Sequence, residues 1–321
     1  MFRIAALLGL CGLAIATAVI VWSGWAQVVQ ALAQAGWGIV AVAAFHTISL
    51  VISSASWRVL VPGKKCPSLL TFIYFMWIRA AVNNLMPVAR IGGEIAAVRV
   101  MIAHGMRRNI AIASTIVELT ISIVAIFTFV VIGVILFALH INDRNLVAQL
   151  GWGIAVSLPV IVALAAVQKI GFFGLLSRLF RLMFRDSWTA MAGSAANLDR
   201  AVMILYRRHG RVLASGAMQF VAWSLGAVEI AMALTFLGHP LPFTQNIMLE
   251  ALIQGSASAA FAIPGALGVQ EAGFLVFGGM LGLPHEIAAA MAVMRRCRDL
   301  LCYAPGLVAW QLHEGKKLLR S

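Results

Sequence analysis

Long apolar stretches dominate the chain, and six of them have the length that a helix needs to cross a membrane. They lie near residues 4–22, 37–57, 110–139, 150–168, 212–237 and 286–312. The hydrocarbon core of a bilayer is about 30 Å thick, so a helix of about 20 apolar residues spans it. The pattern therefore predicts about six transmembrane helices.

Two further apolar stretches, at 68–98 and 244–283, are interrupted in the middle by Pro, Gly and polar residues. The first contains NNLMPVARIGGE, which ends at Glu94, and the second contains AFAIPGALGVQE, which ends at Glu271. Irregular backbone at membrane depth is tolerated only where protein or a wet cavity satisfies its polar groups. These stretches predict two broken re-entrant hairpins that enter the membrane and return.

The composition excludes a soluble protein. Of the 321 residues, 62% are hydrophobic and 11% are charged, and the mean hydropathy is +0.96. A soluble domain carries about 25% charged residues. This much apolar surface cannot be hidden in one soluble core, so the bilayer has to be the solvent. The predicted fold is an all-α polytopic membrane protein, with residues 1–321 forming a single integral membrane domain.

The sequence lacks the motifs of nucleotide-binding loops, HExxH metalloenzymes and GxSxG hydrolases. Its four cysteines also lack the spacing of a metal site. We therefore predict that the protein is not an enzyme, has no catalytic residue, and binds neither a metal nor a cofactor.

The net charge of +13 would indicate nucleic acid as the partner of a soluble protein. In a membrane protein the positive-inside rule explains it better, because cytoplasmic loops collect Lys and Arg. With both termini in the cytoplasm, eighteen basic residues lie on that side and only Arg144 lies on the other. This orientation predicts cytoplasmic N- and C-termini and no nucleic-acid partner.

The orientation exposes an internal repeat. The first half, about 1–140, and the second half, about 150–315, each read span, span, broken hairpin, span, with opposite starting sides. An offset of 177 residues places Pro87 on Pro264 and Glu94 on Glu271. Inverted repeats with broken helices are the usual construction of secondary transporters.

The segment 169–211 connects the first two spans of the second half and is amphipathic. Arg178, Arg181 and Arg185 share one helical face, opposite large apolar residues. We predict that the segment lies in the cytoplasmic interface, with its cations on anionic lipid headgroups. A solvated loop is the alternative.

The hairpins carry the candidate polar groups. Pro87 ends the incoming helix, the glycines allow a turn, and a new helix begins near Gly92 with Glu94 in its first turn. Either Glu94 only caps this helix, or Arg90 and the free amides bind an anionic headgroup. Two asparagines and the second hairpin extend the candidate set, which adds Asn83, Asn84, Gly93, Arg99, Pro264, Gly265, Gly268, Gln270 and Glu271.

The last span carries a cluster of charges, namely Arg295, Arg296, Arg298 and Asp299. A charge near mid-membrane costs about 3 kcal/mol unless it is paired. The 177-residue offset places Glu118 opposite Arg295, which predicts an ion pair between them. Alternatively, the helix breaks at Pro305 and the arginines reach the interface.

Three further polar residues are isolated in apolar spans. Glu229 and Glu250 are candidates for a pathway or a proton relay, the usual meaning of ionisable residues inside a membrane. His46 is a lone histidine on an apolar helix, and a structural role is favoured over that of a ligand.

The runs NNLMPVARIGGEIAAVR and IPGALGVQEAG resemble the two hairpins of the lysylphosphatidylglycerol synthase transmembrane (flippase-domain) family. The residues of these motifs are similar to those of the hopanoid-biosynthesis-associated branch of this family. The resemblance implies a lipid flippase in the bacterial inner membrane, with functional residues at Pro87, Arg90, Gly92, Gly93, Glu94, Arg99, Pro264, Gly265, Gly268 and Glu271. Ala89 and Ala266 depart from the family pattern, since relatives often carry glycine there. The synthase's soluble aminoacyl-transferase domain has no counterpart here, so lipid synthesis is not expected.

The leading hypothesis is a transporter or flippase of an amphipathic lipid, with membrane lipids, anionic headgroups and hopanoids as expected partners. A membrane scaffold that binds lipid-biosynthesis enzymes through 169–211 is the alternative. A membrane-embedded headgroup enzyme using Glu94 or Glu271 as acid or base is the third.

Overall fold

The computed structural model describes residues 25–61, 63, 66–86, 92–140, 189–260, 263 and 266–318, with a few more between 151 and 162. Within these residues the chain is helical and contains no strand. The predicted span 4–22, most of 150–168 and residues 169–188 lie outside the described part. The predicted all-α membrane class is confirmed, whereas the number of spans stays a prediction.

Ten helices are described. They are α1 Trp25–Ala35, α2 Gly38–Leu60, α3 Leu69–Leu85, α4 Gly92–Ala103, α5 Arg108–His140, α6 Thr189–Tyr206, α7 His209–Phe236, α8 Phe243–Ala259, α9 Val269–Met280 and α10 His285–Leu318. Among the described helices, α2, α5 and α7 are long and apolar enough to cross a membrane. Helix α10 covers the predicted span 286–312. It continues through Pro305, so the predicted alternative of a helix break there is wrong.

Both predicted interruptions are present. Helix α3 begins where the Ser68 side chain accepts the Thr71 amide, and it ends before Pro87, with Met86 already extended. A residue that precedes proline is pushed out of the helical region, which explains this end. Helix α4 resumes at Gly92 and packs beside α3. The hairpins α3–α4 and α8–α9 therefore match the interrupted apolar stretches.

The core is built from the faces that these helices turn toward one another. Helices α2 and α7 lie side by side and antiparallel, because Ser56 contacts Ser215 at one end and His46 contacts Glu229 at the other. One apolar cluster joins α7 to α10 around Leu249. These contacts place the polar residues of both hairpins against the long helices.

Helix α6 lies in the segment 169–211, of which the structure describes residues 189–211. Its residues Val202 and Leu205 are buried against Ala113 and Val117 of α5. This end of the segment thus packs onto the helix bundle. The interfacial location of the whole segment stays a prediction.

Candidate functional site

Buried charged side chains gather in two clusters. The N-terminal cluster consists of Arg79, Glu94 and Glu118, on α3, α4 and α5. The C-terminal cluster is larger and consists of Glu229, Glu250, Glu271, Arg295, Arg296, Arg298 and Asp299, on α7 to α10. In each cluster, ion pairs connect an interrupted hairpin to a long helix.

Arg79 holds the N-terminal cluster together. Its Nε donates to Glu94 Oε1 at 2.7 Å, and its Nη1 donates to Glu118 Oε2. Glu118 also accepts a hydrogen bond from Gln219 Nε2 of α7 at 2.5 Å. Because the Glu118 side chain is only 1% exposed, these donors compensate for the loss of water around its charge.

The first interruption is fixed by Asn83. Its Oδ1 accepts the Gly93 amide at 2.9 Å, which satisfies one free N–H at the start of α4. Asn84 instead donates to the carbonyl of Ala80 in its own helix at 2.9 Å. Arg99 lies on an exposed face of α4.

Four predicted site residues lie outside the described part of the chain, namely Pro87, Arg90, Pro264 and Gly265. The headgroup contact proposed for Arg90 therefore stays a prediction.

Three arginines of α10 organise the C-terminal cluster. Arg295 forms a bidentate pair with Glu250, with both N–H···O distances at 2.8 Å. Arg296 Nε donates to Glu271 Oε1 at 2.7 Å. Arg298 donates to Glu229, and its Nη2 donates to Asp299 Oδ1 at 2.6 Å. The four carboxylates thus bind guanidinium groups within one bundle of helices.

Glu271 both caps a helix and pairs with an arginine. Its Oε2 accepts the Gly268 amide at 2.8 Å, while Oε1 accepts from Arg296. Gly268 has φ +80°, a left-handed conformation that suits glycine. Gln270 is buried next to it, and its Oε1 accepts no hydrogen bond from the described residues. Capping alone therefore does not describe Glu271.

The predicted pair between Glu118 and Arg295 is wrong. Glu118 binds Arg79, whereas Arg295 binds Glu250. The offset pointed to equivalent positions in the two halves rather than to a contact. At each position the long helix pairs with the first helix of its own hairpin, and the signs of the two charges are reversed. The arginines are also buried within the protein, with the side chains of Arg295 and Arg298 only 9% exposed.

His46 joins α2 to the C-terminal cluster. Its Nδ1 lies 2.7 Å from Glu229 Oε1, and its Nε2 lies 2.6 Å from the Tyr303 hydroxyl. The sequence favoured a structural histidine, and it did not single out Arg79, Gln219 or Tyr303. An arginine inside an apolar hairpin was the available signal for Arg79.

Two cavities adjoin these groups. One of about 20 Å³ lies among Glu229, Glu250 and Arg295, which is enough for one water molecule. The other, of about 460 Å³, is an apolar groove between α2, α3 and α10, with His46 among its lining residues. Among the described residues, no group of His, Cys, Asp and Glu is arranged to hold a metal ion.

Comparison with known proteins identifies a family. The family described as "Lysylphosphatidylglycerol synthase TM region" matches residues 9–306, which is nearly the whole chain. No curated protein and no solved structure matches the chain.

Proposed function

The chain belongs to the lysylphosphatidylglycerol synthase TM-region family, and from this premise we propose that it moves an amphipathic lipid across the bacterial inner membrane. Because the two motifs resemble the hopanoid-biosynthesis-associated branch of the family, we propose a hopanoid as a candidate lipid. The observation that carries it is the pair of buried ion clusters, each located where an interrupted hairpin meets a long helix. A polar headgroup crosses hydrocarbon only where protein groups replace its water.

The arginines supply the chemistry that a headgroup needs. Phosphate and carboxylate oxygens accept the same paired N–H donors, so an anionic headgroup can take the place of a carboxylate on a guanidinium. The Arg296 side chain is 22% exposed, against 9% for Arg79, Arg295 and Arg298. We therefore assign first contact with the headgroup to Arg296 and its partner Glu271.

The proposal is tested with Glu94→Gln and Glu271→Gln in purified protein, reconstituted into phosphatidylethanolamine–phosphatidylglycerol vesicles. NBD-labelled phosphatidylglycerol serves as the probe, and dithionite reports the fraction in the outer leaflet. We expect each variant to slow lipid movement about tenfold, equivalent to about 1.4 kcal/mol of barrier. Both variants retain a partner for the arginine, because Arg79 keeps Glu118 and Arg296 keeps Asp299 at 3.7 Å.

Glu286→Gln is the matched control, since Glu286 lies in the first turn of α10 and in neither cluster. It should move the probe at the rate of the unaltered protein. Unchanged rates in Glu94→Gln and Glu271→Gln would place the lipid pathway elsewhere.

The protein has a basic surface that suits contact with anionic lipids and also the alternative role as a scaffold. Arg207, Arg208 and Arg211 are exposed at the turn between α6 and α7. Such clusters are attracted to anionic headgroups, by about 1 kcal/mol per residue near the surface. These arginines are replaced by neutral residues to separate the two roles. Weaker binding of anionic lipid by the variant would support the lipid contact, whereas loss of a bound biosynthetic enzyme would support the scaffold.

A further inference from the structure

The apolar groove between α2, α3 and α10 has the size of a ligand site. Its volume of about 460 Å³ lies within the range of about 300 to 1,000 Å³ that small-molecule pockets occupy. Its α2 wall runs from Val40 to Val51, about 17 Å along the helix. Both residues are exposed, as is Leu301 on the α10 wall, so the groove is open at the surface of the bundle. Because α2 is long and apolar enough to cross a membrane, we expect this opening to face the hydrocarbon of the bilayer.

A proline in the α10 wall frees one backbone carbonyl. Helix α10 continues through Pro305, and proline has no N–H to donate to the carbonyl four residues earlier, which is that of Leu301. A helical carbonyl points along the axis toward the residue four positions later. Leu301 and Pro305 both line the groove, so the freed carbonyl lies on its wall. The Trp77 side chain is used at the neighbouring carbonyl, since its Nε1 donates to the Cys302 oxygen at 2.6 Å.

The side-chain donors in the lining are all engaged within the protein. The lining residues that carry an N–H, O–H or S–H group are His46, Thr47, Trp77 and Cys302. Thr47 Oγ1 donates to a carbonyl of its own helix at 2.6 Å, and Cys302 Sγ donates to a carbonyl of α2 at 3.3 Å. Both nitrogens of His46 contact partners inside the bundle. The groove therefore presents acceptors, namely the Leu301 carbonyl and the Thr47 hydroxyl oxygen, and its side-chain donors are committed elsewhere.

This pattern indicates the chemistry of the ligand. The acyl chain of a phospholipid has no donor, so it would leave the freed carbonyl unsatisfied in hydrocarbon, which is costly. Carboxylates and phosphates bring only further acceptors together with a charge. A hydroxyl group supplies the missing donor and brings no charge into the bilayer.

We propose that the groove binds a lipid alcohol, meaning a long-chain or fused-ring hydrocarbon whose polar group is a hydroxyl. The hydroxyl donates to the Leu301 carbonyl, and the hydrocarbon packs against the apolar walls. His46 lies between this site and the C-terminal cluster, since it lines the groove and contacts Glu229. The site does not use Arg296 or Glu271, to which the headgroup was assigned, so it does not rest on the proposed function.

The ligand chemistry is tested with purified protein in detergent. Tritiated hexadecanol is bound, counted by scintillation proximity, and displaced by unlabelled hexadecanol or by its methyl ether, which keeps the chain and the oxygen but lacks the donor. Cholesterol and its methyl ether form the corresponding fused-ring pair. In at least one pair we expect the alcohol to displace at a concentration about tenfold lower than the ether, the effect of about one hydrogen bond. Equal displacement within both pairs would overturn the proposal.

The acceptor is tested with Pro305→Ala, which restores the missing N–H and removes only the outer part of the ring. The ether should bind as before, and the advantage of the alcohol should nearly vanish. Thr47→Val is the matched control, because it removes the other acceptor of the groove and leaves Pro305 in place. There the advantage should be kept. An advantage that survives in Pro305→Ala would overturn the Leu301 carbonyl as the acceptor.

The location is tested with Ala44→Phe, since Ala44 is exposed and lines the groove. The new ring should fill the groove and abolish displaceable binding. Ala304→Phe is the control, because Ala304 is exposed on α10 but is not a lining residue, and it should bind the alcohol normally. Equal binding by both variants would overturn the groove as the site. These assays measure binding and not lipid movement, so failure of lipid transport would leave this inference standing, and loss of the alcohol site would leave transport standing.

Discussion

Two small residues shape the backbone at the hairpin interruptions. Gly93 lies so close to α3 that an added Cβ would overlap the Arg79 carbonyl oxygen and the Asn83 side chain. Ala266 is fully buried and has φ +48°, a left-handed conformation that a Cβ disfavours by about 1 to 2 kcal/mol. The first position therefore requires glycine, whereas the second carries a strained alanine.

Ala266→Gly should leave thermal stability in detergent nearly unchanged. The substitution removes about 1 to 2 kcal/mol of backbone strain. Against this gain, the greater entropy of the unfolded chain costs about 0.4 to 1 kcal/mol, and the loss of the buried methyl group costs about 0.8 kcal/mol. Ala257→Gly is the control, since Ala257 is equally buried but lies inside α8. It should cost about 2 kcal/mol, from helix propensity and the methyl. Equal losses in both variants would contradict strain at Ala266.

Gly93→Ala should destabilise the protein by about 1 to 3 kcal/mol, the usual effect of overpacking. One of the atoms in its way is a backbone carbonyl, so α4 has to move away from α3. Gly216→Ala is the control in α7, where the new Cβ would lie 3.8 Å from Ile121 Cγ2. There the substitution should be neutral or stabilising by up to about 1 kcal/mol, because alanine favours helix. Differential scanning fluorimetry in detergent measures both, and equal melting temperatures would show that the close approach is unimportant.

Between elements, ion pairs connect helices that are distant in sequence. The pair of Arg79 and Glu118 joins α3 to α5, and the pair of Glu250 and Arg295 joins α8 to α10. Gly226 allows α7 to approach the same Glu250 carboxylate closely, since an added Cβ would lie 2.6 Å from its Oε1. The paired charges thus define which helix faces meet.

Removing one partner of the pair between Glu250 and Arg295 should be far worse than removing both. An orphaned buried charge typically costs about 3 to 5 kcal/mol. Glu250→Ala or Arg295→Ala should therefore lower the melting temperature strongly, and the double variant should regain much of the loss. The comparison is Glu118→Ala with Arg295→Ala, whose effects should add to within about 0.5 kcal/mol because these residues do not meet. Additive losses in the first pair would mean that the ion pair is not formed.

At the scale of the whole molecule, the sidedness of the basic residues and the inverted repeat predict how the protein lies in the membrane. Helix α5 has 33 residues and is about 50 Å long, more than the hydrocarbon thickness. We therefore expect its two ends to face opposite aqueous compartments. The excess of basic residues predicts that its start is cytoplasmic.

Cysteine labelling checks this orientation. After the native cysteines are replaced, Arg107→Cys, at the exposed turn before α5, should react only with reagents that reach the cytoplasm. Asp143→Cys should react with impermeant reagents applied from outside. Reaction of both positions from the same side would contradict the inverted-repeat topology.

Local sequence was sufficient for the membrane class, the positions of α2, α5, α7 and α10, and both hairpin interruptions. These features depend on short-range properties, since an apolar run long enough to span a bilayer has few alternatives to a helix and Pro or Gly ends it where it occurs. The family resemblance was also readable from two short motifs, and the family match confirms it.

Tertiary structure alone decided which polar groups meet. The sequence marked Glu118 and Arg295 as equivalent, but their partners are Arg79 and Glu250, 39 and 45 residues away. His46 looked isolated until packing of α2 against α7 and α10 brought Glu229 and Tyr303 to its two nitrogens. Hydrophobic periodicity determines which faces of a helix are buried, but it does not determine which neighbouring helix each face contacts. Ion-pair partners are set by that choice, so they follow from packing and not from spacing.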